Sequence, residues 1–287
     1  MQSPEIKHEY ADVNGVRLHY AVAGSGKLIL FVHGFPEFWY AWKNQLIEFG
    51  KDHKAVAVDM RGYNLSSKPT EVDQYRVGIV MEDIRALAEK LGHKKFVLVG
   101  HDWGGGVAWS FAIAHPECLE QLVIINAPHP AIFARELRDN PLQQKASQYM
   151  LMFRSPGAEA ALSADHYAAL VKGVALEFSE EEKKIYIEAW SQPGALTGGL
   201  NYYRAARLGP QASFAIDTSK FVVRVPTLVI WGEKDPFLLT GNLEGMDAFV
   251  PELTIKRVPD ATHWVVREKP QLVNSYIRDF IGVHDLP

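Results

Sequence analysis

The chain has little cysteine, no long apolar run and no cluster of positive charge. Cys118 is the single cysteine in 287 residues, so no disulfide can form within the chain, and we expect a packed, unreactive thiol. No apolar run approaches the roughly 20 residues that cross a bilayer, and the first residues are too polar for a signal peptide, which predicts a cytoplasmic protein. A formal net charge of −4 without a basic patch argues against nucleic acid and membranes as partners. The expected ligand is small and weakly charged.

What the sequence does contain is a regular alternation of strand and helix patterns. Two runs joined at Asn14-Gly15 predict an antiparallel hairpin, and the continuous apolar runs that follow predict a parallel sheet covered on both faces. The predicted strands span 9–13, 16–22, 28–32, 55–58, 96–99, 122–125, 227–231 and 253–258, and the helices between and after them span 77–91, 103–114 and 271–281. The predicted fold class is therefore α/β.

The alternation stops at residues 126–130 and resumes after about residue 211. In between, helical patterns without clear strands span 142–153, 158–161, 164–171, 180–190 and 199–208. Ser179 and Glu182 form a capping-box pattern ahead of the fourth of these helices. We predict a core domain made of 1–128 and 212–287, with an inserted helical cap at 129–211.

The most informative motif is Gly100-His101-Asp102-Trp103-Gly104, which joins a β-branched run to an alanine-rich helix pattern. This order predicts a strand, a sharp turn and a helix, with Asp102 at the tip of the turn. Gly100 and Gly104 suit the turn because strand and helix approach closely there. A carboxylate nucleophile attacks carbon and forms an ester with its substrate. That chemistry points to epoxides or alkyl halides rather than to peptides or esters.

Three other predicted strands of the parallel sheet are also followed by candidate site residues. Phe35 lies in a His-Gly-Phe-Pro-Glu stretch after the third strand, Asp235 follows the strand 227–231, and His263 follows the last strand. Ligands of α/β sheets bind at the carboxyl ends of the strands, so we expect these positions to meet around Asp102. The chain order of nucleophile, acid and histidine is that of α/β-hydrolase triads.

The chain resembles the α/β-hydrolase superfamily over nearly its whole length, and its motifs resemble those of soluble epoxide hydrolases. The resemblance rests on the turn around Asp102, on the stretch 33–40 and on two tyrosines of the predicted cap. Tyr149 precedes a Phe-x-x-Pro-Gly segment that begins at Phe153, and Tyr203 lies in an Asn-aromatic-Tyr-Arg sequence. The resemblance implies a mostly parallel eight-stranded sheet flanked by helices, with an all-helical cap.

For the site, the resemblance implies a covalent ester on Asp102 and its hydrolysis to a vicinal diol. Tyr149 and Tyr203 are expected to protonate the epoxide oxygen as the ring opens. His263, hydrogen-bonded to Asp235, is expected to activate the water that cleaves the ester.

The resemblance also implies the surroundings of these groups. The backbone N–H groups of Phe35 and Trp103 are expected to form the oxyanion hole. The side chains expected to line the substrate site are Phe35, Trp103, Phe153 and Trp264. No metal or organic cofactor is expected, and the expected partners are a largely apolar epoxide and water.

Alternative interpretations of single residues remain at this stage. Asp102 alone would suit a helix cap, Asp235 a solvated turn, and the cap tyrosines a buried core, with Tyr202 or Tyr167 as substitutes at the site. Other histidines near strand ends are interpreted as packing or loop contacts, namely His33, His101, His115 and His129.

Two asparagines depart from the family pattern. Asn126 stands where some relatives have the triad acid, and its amide cannot serve as that carboxylate. Asn64 replaces a glycine that is usual in the loop 59–66, and asparagine tolerates the left-handed conformation better than most residues. We therefore expect the loop to keep its shape.

Three other functions compete with epoxide hydrolysis. A haloalkane dehalogenase shares the aspartate nucleophile but usually has an asparagine where this chain has Phe35, and a fluoroacetate dehalogenase has arginines that are absent from 103–109. The glycines at 100, 104 and 106 also fit a short-chain dehydrogenase, but they lie too far along the chain for its first strand, and the Tyr-x-x-x-Lys pair is missing. A binding-only role would be expected to lose a triad residue, and none is visibly missing.

Overall fold

The computed structural model describes residues 4–174, 178–206 and 218–284, and an eight-stranded sheet lies at its centre. The strands are β1 Lys7–Val13, β2 Val16–Ala23, β3 Leu28–Val32, β4 Lys54–Val58, β5 Phe96–His101, β6 Leu119–Ile125, β7 Thr227–Gly232 and β8 Leu253–Val258. Their order is β1-β2-β4-β3-β5-β6-β7-β8. β2 is antiparallel to β1 and β4, and the other neighbours are parallel. The predicted fold class is confirmed.

Helices cover both faces of this sheet because the central strands are apolar on both faces. The core helices are α1 Lys43–Phe49, α2 Val77–Lys90, α3 Trp103–Ala114, α10 Val265–Glu268 and α11 Pro270–His284. In β3, Leu30 belongs to the core that includes α2 and α3, whereas Phe31 belongs to the core that includes α1 and α11. Successive side chains of a strand point to opposite faces, which explains the two cores. Because these strands are parallel, their carboxyl ends lie at the same edge of the sheet.

In its described residues, 126–174, 178–206 and 218–226, the segment between β6 and β7 contains helices and no strand. Its helices are α4 Pro130–Asp139, α5 Pro141–Ala146, α6 Tyr149–Arg154, α7 Ala158–Gly173, α8 Glu180–Ser191 and α9 Ala195–Ala206. The capping box of Ser179 and Glu182 is present at the start of α8. The predicted helix end at 208 and the predicted domain boundary after 211 lie outside the described residues.

One predicted helix of this segment differs from the structure, and one predicted pair of helices agrees with it. The pattern at 142–153 predicts one helix, but α5 and α6 are separated by a turn at Ser147. The patterns at 158–161 and 164–171 predict two helices, and α7 does consist of two helical parts joined at a kink, where Ala164, Asp165, His166 and Tyr167 have non-helical backbone angles. Helix α4 is not predicted at all.

Among the described residues, no helix combines the length and apolarity that a membrane crossing requires.

Candidate active site

Asp102 lies at a sharp turn between β5 and α3, with φ 50° and ψ −121°. This is an unfavourable backbone conformation for a residue with a side chain, and the close packing on either side holds it. A Cβ at Gly100 would lie 2.7 Å from the carbonyl carbon of Gly104, far inside van der Waals contact. The predicted need for glycine at these positions is confirmed. The turn directs Asp102 to the carboxyl edge of the sheet.

The two oxygens of the Asp102 carboxylate have different neighbours. The backbone N–H of Phe35 donates to Oδ1 at 2.8 Å, and Oδ2 lies 3.5 Å from Nε2 of His263. Burial alone would raise the pKa of Asp102, but His263 and the backbone N–H of Trp103 lower it below its ordinary value. Asp102 is therefore ionised near neutral pH. The predicted oxyanion groups, Phe35 and Trp103, are the backbone donors that meet this carboxylate.

His263 is held between two carboxylates. Its Nδ1 lies 2.6 Å from Oδ2 of Asp235, and Asp102 is on the other side of the ring. Burial alone would lower the pKa of His263, but Asp235 and Asp102 raise it to about 10. The imidazole is therefore protonated in the free protein near neutral pH. Loss of one neighbouring negative charge would lower this pKa and favour the neutral ring.

Asp235 is held by hydrogen-bond donors on both of its oxygens. Oδ1 accepts the backbone N–H groups of Phe237 at 2.8 Å and Leu238 at 3.0 Å. Nδ2 of Asn126 donates to Oδ2 at 2.8 Å, and Oδ1 of Asn126 accepts the N–H of Gly232. The sequence analysis noted only that Asn126 cannot serve as the carboxylate of the triad, and it did not predict this hydrogen bond. Its position after β6, beside the end of β7, is the signal that indicates a contact with Asp235.

His101 supports His263 from the side of the nucleophile. Its Nε2 donates to the carbonyl oxygen of His263 at 2.8 Å, and the two rings lie 4.7 Å apart. Burial and the charge of His263 lower the pKa of His101 to about 4, so this ring stays neutral. The contact agrees with the prediction that His101 makes a loop contact.

Tyr149 of α6 and Tyr203 of α9 lie opposite Asp102. Their rings are 6.2 Å apart, and the Tyr203 ring packs edge-on against Trp103 at 5.0 Å. Burial, together with the charge of Asp102, raises the pKa of both phenols well above the ordinary value. Both hydroxyl groups therefore keep their protons near neutral pH. The alternatives lie elsewhere: the Tyr202 hydroxyl donates to Arg61, and the Tyr167 ring packs near Trp190.

Two cavities meet at these residues, and Asp102, Tyr149 and Tyr203 line both of them. The larger cavity has a volume of about 420 Å³ and extends between α3, α4 and α9. The smaller cavity has a volume of about 190 Å³. Its walls include the other predicted site residues Phe35, Phe153, His263 and Trp264. Trp103 lines the larger cavity. An apolar molecule with a small reactive group at its centre would fit this shape.

Comparisons with known proteins identify the family of this chain. The family model for the α/β hydrolase fold matches residues 27–270. The AB hydrolase superfamily protein YfhM of Bacillus subtilis (strain 168) is 40% identical over 96% of this chain and 98% of its own length, and epoxide hydrolase 3 of Xenopus tropicalis is 36% identical over 93% and 75%. A Bacillus megaterium epoxide hydrolase, solved with an inhibitor, is 37% identical with a TM-score of 0.87, covering 96% of this chain and 100% of that chain. The chain therefore belongs to the α/β-hydrolase fold family and, within it, to the family of these epoxide hydrolases.

Proposed function

We propose that this protein is an epoxide hydrolase that converts a small, largely apolar epoxide to a vicinal diol through an ester on Asp102. The observation that carries the proposal is the placement of two protonated phenols, Tyr149 and Tyr203, opposite an ionised carboxylate on the walls of the same cavities. The named activity of the relatives supports it. One variant of the Bacillus megaterium enzyme was solved with its product, (R)-3-[1]naphthyloxy-propane-1,2-diol.

In the first step, Asp102 attacks a carbon of the epoxide. Oδ2 is the attacking atom, because Oδ1 is held by the N–H of Phe35. A C–O bond forms, the ring C–O bond breaks, and the oxygen takes a proton from Tyr149 or Tyr203. A general acid in this position is worth about 10²–10⁴-fold, since an unprotonated alkoxide is a poor leaving group. The products of the step are a hydroxyalkyl ester and a phenolate.

In the second step, a water molecule attacks the ester carbonyl carbon. Esterification has removed the charge of Asp102, so the pKa of His263 falls and the ring can give its proton to the phenolate. The neutral ring then takes a proton from the attacking water. The backbone N–H groups of Phe35 and Trp103 stabilise the oxyanion that develops on Oδ1, an interaction worth about 2.7–4 kcal/mol for each donor. The bond between Cγ and Oδ2 then breaks, and the diol leaves with Oδ2, which takes the proton of the newly formed carboxyl group. The carboxylate is thereby restored, and His263 keeps the proton that it took from the water, as in the free protein.

The helical residues between β6 and β7 supply the phenols, and we propose that they act as a cap domain. The proposed division is a core of 1–128 and 212–287 with a cap of 129–211. Tyr149 and Tyr203 support this division, because both reach Asp102 from the helical segment. Most lining residues of the smaller cavity come from the same segment or from the Phe35 loop.

The reaction is tested by isotope labelling and by a substrate panel. A single turnover with excess enzyme in ¹⁸O-water is expected to give unlabelled diol, with label entering the Asp102 side chain after many turnovers. Label in the diol of the first turnover would contradict the ester. The panel consists of styrene oxide, aliphatic epoxides, 1-naphthyl glycidyl ether, 1-bromoalkanes and fluoroacetate. Halide release without epoxide turnover would instead indicate a dehalogenase.

The two steps are expected to depend differently on pH. Ring opening needs an ionised Asp102, whose pKa is lowered, and protonated phenols, whose pKa values are raised, so its rate should stay flat from mildly acidic to mildly alkaline pH. Ester hydrolysis needs neutral His263, so its rate should rise with pH. Quenched samples at about pH 5 should therefore contain more ester than samples at about pH 9, as measured by intact mass. Equal loss of both steps at low pH would contradict this assignment.

A further inference from the structure

The loop 59–66 after β4 contacts the helix that carries Tyr203, although it supplies no group to the proposed reaction. The loop has a fixed shape. The backbone N–H of Met60 donates to Nε2 of His33, and the N–H of Gly62 donates to the carbonyl of Ser67 at 2.8 Å. Asn64 has φ 40°, and its amide donates to Asp59 at 2.8 Å, which confirms that asparagine tolerates this position. The loop is therefore a rigid support.

A buried ion pair ties this loop to α2. Nε and Nη2 of Arg61 donate to the two oxygens of Asp83 at 2.6 and 2.7 Å, and both side chains are almost fully buried. Nη1 of Arg61 donates to the carbonyl of Gln74 at 3.0 Å. Two parallel hydrogen bonds fix the guanidinium in orientation as well as in position. The backbone of Arg61 and Gly62 thus has a defined place in the core.

Helix α9 packs directly on this backbone. Gly62 has φ +91°, which favours glycine, and a Cβ built on Gly198 would overlap the backbone of Gly62. One turn further along α9, the buried hydroxyl of Tyr202 donates to the carbonyl of Arg61 at 3.0 Å. Two contacts one turn apart determine both the depth and the rotation of the helix.

Tyr203 follows Tyr202 directly, so any shift of the helix moves its hydroxyl. Gly199 lies against the other side of the site, where a Cβ would meet the Phe35 ring at 2.7 Å. The helix thus fills the space between the loop 59–66 and Phe35, and no room is left for an added side chain at 198 or 199. Misplacement of a reacting group by about 1 Å can cost on the order of 10²-fold in rate.

We propose that Gly198 and Tyr202 are positioning residues for ring opening: by seating α9 on the backbone of Arg61 and Gly62, they set the place of the Tyr203 hydroxyl over Asp102. The inference rests on the acid role proposed for Tyr203. The sequence analysis assigns no role to Gly198, and it considers Tyr202, the aromatic residue that precedes Tyr203 in its motif, only as a substitute acid.

The test compares Gly198→Ala and Tyr202→Phe with Gly282→Ala as the matched control. Gly282 is a helical glycine of α11, and a Cβ there would meet no atom within 4 Å. Alanine favours a helix over glycine, so a loss of activity at 198 does not come from helix propensity. Ring opening and ester hydrolysis are measured separately by rapid quench. We expect ring opening to slow by about 10²-fold in Gly198→Ala and by roughly 5-fold in Tyr202→Phe, with ester hydrolysis and the control near native rates.

The same changes are then made in a Tyr203→Phe background. If the two residues act through the phenol, their effect on ring opening should disappear there, whereas a general loss of structure should persist. Equal slowing of both steps, or an effect that survives in Tyr203→Phe, would overturn the inference. If Gly198→Ala does not fold, Tyr202→Phe still decides the question.

Other results would contradict the proposed function, or the acid role of Tyr203, rather than the positioning roles of Gly198 and Tyr202. A native protein that opens no epoxide would contradict the function itself, and Tyr203→Phe with native ring opening would contradict the acid role. Impaired ring opening in Tyr203→Phe, together with native rates in Gly198→Ala and Tyr202→Phe, would contradict the seating alone.

Discussion

Replacement of Asp102 by asparagine is expected to abolish ester formation and to lower epoxide turnover by at least about 10⁴-fold. The amide has nearly the same shape, and its oxygen can still accept the N–H of Phe35, which donates to Oδ1 at 2.8 Å in the native protein. It lacks the negative charge that attacks the ring carbon. Turnover is measured by diol formation, and the ester by the mass of the peptide that contains residue 102.

The same variant provides a second readout, which does not depend on turnover. Asp102 is one of the two carboxylates that raise the pKa of His263, so its loss should lower that pKa from about 10, as followed by NMR titration of the ring. Slow deamidation of the introduced asparagine to aspartate would appear as a mass gain and as returning activity, so the mass is recorded before each assay. Turnover within about 10-fold of native while the introduced asparagine is intact would contradict the nucleophile.

The turn at Asp102 is predictable from the sequence because its requirements are local. A β-branched run, glycines at 100 and 104 and an alanine-rich helix pattern each have a direct steric meaning, and the structure has the strand, the turn and the helix at these positions. The α/β fold is predictable for a similar reason. Apolar strands between amphipathic helices must be covered on both faces.

The helical segment is predicted less well because its boundaries depend on packing. Helix α4 is held by contacts such as those of Arg135 with the carbonyl groups of Gly241 and Glu244, more than 100 residues away. The sequence places the break within α7 at 162–163, whereas the non-helical backbone lies at 164–167, where no glycine or proline marks it. Short helices gain most of their stability from tertiary contacts, so their ends are not encoded by propensity alone.

For the site, the order of motifs indicates which residues meet but not what holds them. Strand ends at one edge of the sheet explain why Asp102, Asp235 and His263 are brought together. The hydrogen bond from the Asn126 amide to Asp235 joins residues 109 positions apart. The seat of α9 on Gly62 joins segments that lie about 136 positions apart, and no motif spacing links them. Contacts of this kind require the three-dimensional structure.

Replacement of His263 by glutamine is expected to stop the reaction after ring opening. Asp102 attacks without the help of a base, so the first step should continue, while loss of the general base should slow ester hydrolysis by about 10²–10⁴-fold. Epoxide consumption should then reach one equivalent of enzyme with little release of diol. The ester is detected as a mass gain equal to the epoxide on the peptide that contains Asp102.

His115→Gln is the matched control, because His115 lies away from the site, where its Nε2 is 2.6 Å from Oε1 of Glu82. It should turn over epoxide at a native rate and accumulate no ester. Glutamine was chosen for position 263 because it keeps a polar side chain beside Asp235. Binding is checked separately with an unreactive diol, which distinguishes a loss of binding from a loss of ring opening. Bound ligand without any adduct would contradict the order of steps, because it would mean that ring opening itself needs His263. An adduct that releases diol at the native rate would show that another group activates the water.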